Sequence, residues 1–186
     1  MDHPASPSLA LRDLARIVLF AALIAALGLL PPIPVPIIPV PITAQTLGVM
    51  LAGAVLGPKR GALAAGLFLL VTAMGFPLLA GGRGGLAVFA GPSAGFLLGW
   101  PLGAAVTGWL AARATSIVRL GLACGAGGIG AVYLIGVPWM AQVADLTLGQ
   151  AMMASLAFVP GDLVKVVAAA LATQAIRRGY PALTAR

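Results

Sequence analysis

An all-α integral membrane protein with six transmembrane helices and both termini in the cytoplasm is the fold class this sequence predicts. Three observations carry the prediction. Of the 186 residues 61% are hydrophobic and 8% are charged, a balance outside the soluble globular range. Uncharged stretches cover residues 17–58, 61–82, 84–112 and 120–144, and one crossing needs about 20 apolar residues. The first stretch therefore holds two crossings and a connection. Between the stretches the basic residues stand in small groups, as they do in loops that set membrane orientation. Backbone in lipid must satisfy its own hydrogen bonds, which leaves helices or a closed barrel. The ten-residue alternation of an outer-membrane barrel is absent, and residues 1–186 read as one domain.

The chain in order justifies each element. Residues 1–8 are polar with two prolines and are expected to be a disordered tail. The first span runs from residue 9 or 14 to residue 30. In it Ala21 with Ala25 and Ala22 with Ala26 form small-residue pairs four apart, a spacing that lets another helix come close. That neighbour is either one of the chain's own helices or a partner. Six prolines between Pro31 and Pro41 then exclude a helix and impose extended chain. Its Ile and Val residues suit either a stiff hairpin connector or a cap over a pocket. Thr43, Gln45 and Thr46 open the second span, which ends near Leu56, and GPKRG at residues 57–61 reads as a basic turn. The third span covers residues 62–76, closed by Pro77.

A glycine-dense loop follows, with Gly81, Gly82, Gly84 and Gly85 around Arg83 and with Ser93 after it. Glycine lets a ligand approach backbone closely, but the lysine and hydroxyl of a nucleotide-binding P-loop are missing. Arg83 is therefore an interfacial loop charge or a ligand contact. The fourth span, residues 92–112, carries Gly95, Gly99 and Gly103 on one face as a groove for a neighbouring helix. A fifth span over residues 118–137 is expected to exit at Pro138 and Trp139. Residues 141–157 suit a short helix on the outer side, and the last span runs over residues 160–178.

With six spans and the N-terminus inside, the inner side receives Arg12, Arg16, Lys59, Arg60, Arg113, Arg119, Arg177, Arg178 and Arg186. The outer side receives only Arg83, with Lys165 in or near the membrane. This bias puts both termini in the cytoplasm. It also excludes nucleic acid as the reason for a net charge of +7, since there is no basic stripe or aromatic platform. Cys124 is the one cysteine and His3 sits in the tail, so neither a disulfide nor a metal cluster is indicated.

On the outer side the proline run, the Arg83 loop and the segment FVPGDLVK, residues 158–165, converge. Asp162 and Lys165 are three apart on a helix, hence on one face. Charges in a span usually face a cavity or partner. The pair is thus a binding element or an internal ion pair that fixes packing. Pro160 suits a helix start, whose positive pole would add to the site. Gln45, Gly82 and Ser93 complete the candidate ligand-binding set with Asp162, Lys165 and Arg83. The expected ligand is small and partly apolar, with an anionic end and a neutral hydrogen-bonding head. An intramembrane lipid-modifying enzyme would need a nucleophile–base pair or a metal cluster. An ion-coupled carrier usually shows repeated halves, which are absent.

The ordered motifs PVPITAQTLGVMLAGAVLGPKRG, GFPLLAGGRGG, AGPSAGFLLGW and VPGDLVK resemble the BioY family, the biotin-binding S components of energy-coupling-factor (ECF) vitamin transporters. The resemblance covers roughly residues 31–100 and 158–178. It implies a multi-pass protein of a prokaryotic cytoplasmic membrane that captures biotin on its outer face and is not an enzyme. It also implies that Asp162 and Lys165 contact biotin, and that the small-residue face of the first helix docks a transmembrane coupling (T) subunit working with ATPase subunits. Biotin is then the cargo and no cofactor is required; membrane lipid surrounds the chain, and a homo-oligomer stays open. A carrier for another vitamin is the nearest alternative. Where many relatives have Thr-Gly-Gly-Tyr this chain has Ser93-Ala94-Gly95-Phe96, and Arg83 stands where they carry a small residue.

Overall fold

The structure, a computed structural model, describes residues 7–36 and 38–180. The polar residues 1–6 and Arg186 lie outside them. Helix α1 (Pro7–Leu27) includes Pro7 and Ser8, which were expected in the tail. The proline run forms an antiparallel hairpin, β1 (Ile33–Val35) and β2 (Ile38–Ile42), with Ile33 opposite Ile42. Proline lacks the amide that a wider sheet would need, so a two-stranded ribbon is as much sheet as this sequence supports.

Helices α2 (Gln45–Leu56) and α3 (Pro58–Ala73) are joined by the single residue Gly57. Its φ of 84° is a conformation that favours glycine. Pro58 opens α3, so Lys59 and Arg60 stand in the first turn of a helix rather than in the turn expected over residues 57–61. After the glycine loop come a 3-10 turn (Leu86–Phe89) and α4 (Ala94–Ala111). The fifth span is α5 (Ile117–Gly125), a π-helical segment (Ala126–Ala131) and α6 (Val132–Val143), continuous from Ile117 to Val143. It passes through Pro138 and Trp139, which were expected to lie at its exit. Trp139 is held there by its indole N–H, which donates to the Gly91 carbonyl at 3.0 Å.

Helix α7 (Leu148–Ser155) starts at a capping box in which Thr147 and Gln150 satisfy each other's backbone amides. It runs through a 3-10 turn (Leu156–Phe158) into α8 (Val159–Gly179), so the helix is continuous from Leu148. Its positive pole therefore lies at Leu148, and the free helix start expected at Pro160 is not formed. The six crossings are α1, α2, α3, α4, α5–α6 and α8.

The glycine face of α4 meets the fifth span as expected. A side-chain carbon at Gly99 would stand 3.0 Å from the Val132 carbonyl oxygen, and one at Gly103 would stand 2.6 Å from a Val132 methyl. The α2 helix is the centre of the bundle, buried at every position from Gly48 to Leu56. Its twelve residues span about 18 Å, well short of the hydrocarbon thickness of about 30 Å. Because α2 is flush with α3 at Gly57, the missing length falls at its outer end. That is where the hairpin and a cavity sit.

The two ends of the bundle differ in charge. Asp13 of α1 pairs with Arg60 of α3 at 2.8 Å. Arg177 of α8 donates to the carbonyls of Ala111 at 2.8 Å, Ala114 at 3.1 Å and Ala54 at 3.4 Å. The same end holds Arg113 just after α4 and Arg119 in the first turn of α5. By the positive-inside rule it is cytoplasmic, which places the hairpin, the glycine loop and the start of α8 outside.

Candidate functional site

The outer cavity holds about 570 Å³ of atom-free space, part of it open to solvent. Its roof is β2, through Val40, Pro41 and Ile42, and Leu79 and Arg83 come from the glycine loop. The aromatic wall is Phe96 and Trp100 of α4, Tyr133 of α6 and Phe158 at the head of α8. Phe96, Tyr133 and Phe158 meet edge to face, with ring centres 5.7–6.4 Å apart. Such mutual edge contacts hold the wall in one shape.

One side of the cavity carries a connected polar cluster. Asp162 is 4% exposed. It accepts from Lys165 Nζ at 2.7 Å on Oδ1 and from the Tyr133 hydroxyl at 2.6 Å on Oδ2. Lys165 also donates to Thr46 Oγ1 at 3.0 Å. Three elements, α2, α6 and α8, are thereby tied through one ion pair. A buried charge is tolerated only with such pairing. The cluster is not saturated, since an ammonium has three N–H groups and Lys165 uses two, while each carboxylate oxygen keeps a further lone pair. It can therefore donate one hydrogen bond and accept others from a ligand.

The other candidate residues fall into different situations. Arg83 lines the cavity and donates from Nε to the Ala80 carbonyl at 3.4 Å. No carboxylate pairs with it among the described residues. Ser93 lines the cavity at the start of α4 without capping that helix. Gln45 also lines it, with both of its N–H groups committed: Nε2 donates to Leu78 O at 3.0 Å and Ile24 O at 3.2 Å, and Oε1 accepts from Ala80 N at 3.0 Å. Gln45 thus pins the glycine loop to α1 and α2. Gly82 is an exposed turn residue with φ 69° and is not among the lining residues.

The small-residue pairs on α1 divide. Ala21 is 8% exposed and belongs to the core, with Ala25 packed against it. Ala22 and Ala26 face outward.

Comparison with known proteins decides the family. The BioY family model matches residues 2–182. The chain belongs to the BioY family. Among curated relatives, "Biotin transporter BioY" of Rhizobium etli is 53% identical, over 94% of this chain and 98% of that one. "Biotin transporter BioY" of Rhodobacter capsulatus is 48% identical, over 94% of this chain and 98% of that one. Among solved structures, an S-component for biotin from an ECF-type ABC transporter superposes with a TM-score of 0.90 at 29% identity, over 98% of this chain and all of that one.

For this BioY-family chain, motif reading found Asp162 and Lys165 but not the partners that complete their cluster. Tyr133 stands alone in an apolar run, and a phenol in a span needs a polar partner; that was the available signal. Tyr133→Phe keeps the wall and removes one hydrogen bond to a carboxylate, worth about 1.5–3 kcal/mol. Ligand affinity is expected to fall roughly tenfold with the fold unchanged. Equilibrium titration of the purified variant against the parent chain checks it.

Proposed function

We propose that this protein captures biotin from the outer side of the cytoplasmic membrane and delivers it inward as the S component of an ECF-type transporter. The observation that carries the reading is the outer cavity, which pairs a hydrogen-bonding cluster at Asp162 with an apolar wall and the Arg83 guanidinium. Biotin has the matching parts: a neutral urea with two donors and one acceptor, an apolar ring and chain, and a carboxylate. Asp162 accepts a urea N–H, and the third N–H of Lys165 serves the urea oxygen. Phe96, Phe158 and Val40 cover the ring, while Arg83 with Ser93 receives the carboxylate. Gln45 shapes the site through the loop it holds, and Gly82 supplies a turn beside Arg83.

Asp162 is tied by Lys165 and Tyr133 rather than poised against a nucleophile, which supports binding over bond chemistry at this site. Energy for uptake then comes from a T subunit and ATPase subunits. The outward pair Ala22 and Ala26 is the docking face on α1, because Ala21 and Ala25 are occupied by the chain's own core. Replacing both Ala22 and Ala26 by Leu is expected to leave biotin binding intact and to abolish co-purification with the coupling subunits. Normal stoichiometry in the double variant would place the docking face elsewhere.

Two experiments test the reading. Cells lacking biotin uptake, given this protein with its coupling and ATPase subunits, are expected to accumulate labelled biotin and to be blocked by excess unlabelled biotin but not by other vitamins. For the site, Arg83→Ala is expected to weaken biotin about tenfold while leaving uncharged biotin amide unchanged. Equal losses for both ligands would remove Arg83 from the carboxylate.

A further inference from the structure

One buried polar atom at the outer cavity has no partner in the protein. Among the described residues, three buried side chains carry a polar atom without a hydrogen bond: the indole nitrogen of Trp100 and the hydroxyls of Thr107 and Thr173. Neither threonine lines the cavity, whereas Trp100 does. Trp100 is 3% exposed and stands one turn further along α4 than Phe96. Its ring rests against Phe68 of α3, with ring centres 5.6 Å apart.

An indole N–H can only donate. Burying it unpaired costs free energy that a phenylalanine in the same place would not. The neighbouring aromatic residues avoid that cost in two ways. Phe68, Phe96 and Phe158 fill space without a polar atom. Tyr133 and Trp139 use theirs, the first on Asp162 and the second on the Gly91 carbonyl. The donor of Trp100 is accounted for when the ligand brings the acceptor.

The acceptor follows from the biotin reading of the site, on which this inference rests. Lys165 serves the urea oxygen, and Arg83 with Ser93 receives the carboxylate, which leaves the thioether sulfur of the ring. We propose that Trp100 donates its indole N–H to this sulfur and is the residue by which the site tells biotin from analogues without it. A thioether is a weak acceptor, but a polarizable sulfur also packs favourably at the edge of an aromatic ring. The edge of Trp100 offers both interactions. Its nitrogen is covered by neighbouring atoms, so the floor of the cavity parts around Trp100 as the ring enters.

The test is titration of the purified chain and of Trp100→Phe with biotin and with desthiobiotin, which keeps the urea and the carboxylate but has no sulfur. Trp100→Phe is expected to lose roughly fivefold more affinity for biotin than for desthiobiotin. Equal losses for the two ligands, or none, would overturn the proposal. A second measurement does not depend on that variant folding. The chain has three tryptophans, and in isotope-labelled protein Trp109→Phe and Trp139→Phe identify the indole N–H signal of Trp100 by elimination. That signal is expected to shift markedly with biotin and much less with desthiobiotin. The same response to both would overturn the assignment. A folded parent chain that binds neither ligand would instead overturn the biotin reading itself.

Discussion

Asp162→Asn is expected to weaken biotin binding at least tenfold while the protein still folds. The carboxylate is the common acceptor of Lys165 and Tyr133, and an amide cannot replace it on both sides. Its NH2 group either meets the Lys165 ammonium, donor against donor, or turns to Tyr133, whose hydroxyl must then accept instead of donate. Lys165, mostly buried, also loses its counter-charge, and breaking one partner of a buried pair costs about 3–5 kcal/mol. Part of that cost is relieved because the ammonium still reaches Thr46 and cavity water. The ligand then loses a charge-assisted hydrogen bond worth about 1.5–3 kcal/mol, which is the tenfold or greater effect. Titration of the variant, after its elution volume has been matched to the parent, is the check. Equal affinity would mean that the Asp162–Lys165 pair only fixes packing.

Gln45→Leu is expected to lower stability by about 3 kcal/mol even without ligand. Gln45 is 0% exposed and Leu is close to it in volume, so packing changes little. What is lost is the set of bonds to Ile24, Leu78 and Ala80. Each buried backbone group left unpaired costs about 1–3 kcal/mol, partly recovered as the loop relaxes. The glycine loop carries Arg83 and Leu79 into the cavity, so affinity falls as a consequence. The unfolding midpoint of the ligand-free protein in detergent separates the two roles. An unchanged midpoint with reduced affinity would make Gln45 a direct ligand contact instead.

These two residues show what could be read before the fold was known. Charges are rare in this chain, so Asp162 and Lys165, three apart before an apolar run, announce a shared helix face by spacing alone. The hydrophobic lengths and basic clusters likewise predict six spans and their orientation, because lipid imposes both on composition. Spacing does not tell which way a helix face points. Ala21–Ala25 and Ala22–Ala26 have the same period, yet one pair is in the core and the other outside. Gln45 reads equally as a ligand contact or a clamp, since its partners are backbone groups 21 to 35 residues away. Tyr133 joins Asp162 across 29 residues, and nothing local marks that meeting. Pro138, Trp139 and Pro160 are usual markers of a helix end, but here neighbouring packing carries the helix through them.

The most direct measurement is calorimetric titration of the purified chain, alone in detergent or nanodiscs, with biotin. The account predicts saturable binding of one biotin per chain without any coupling subunit, and at least a tenfold loss in Asp162→Asn. No saturable heat from the folded chain, or equal affinity in the variant, would contradict it.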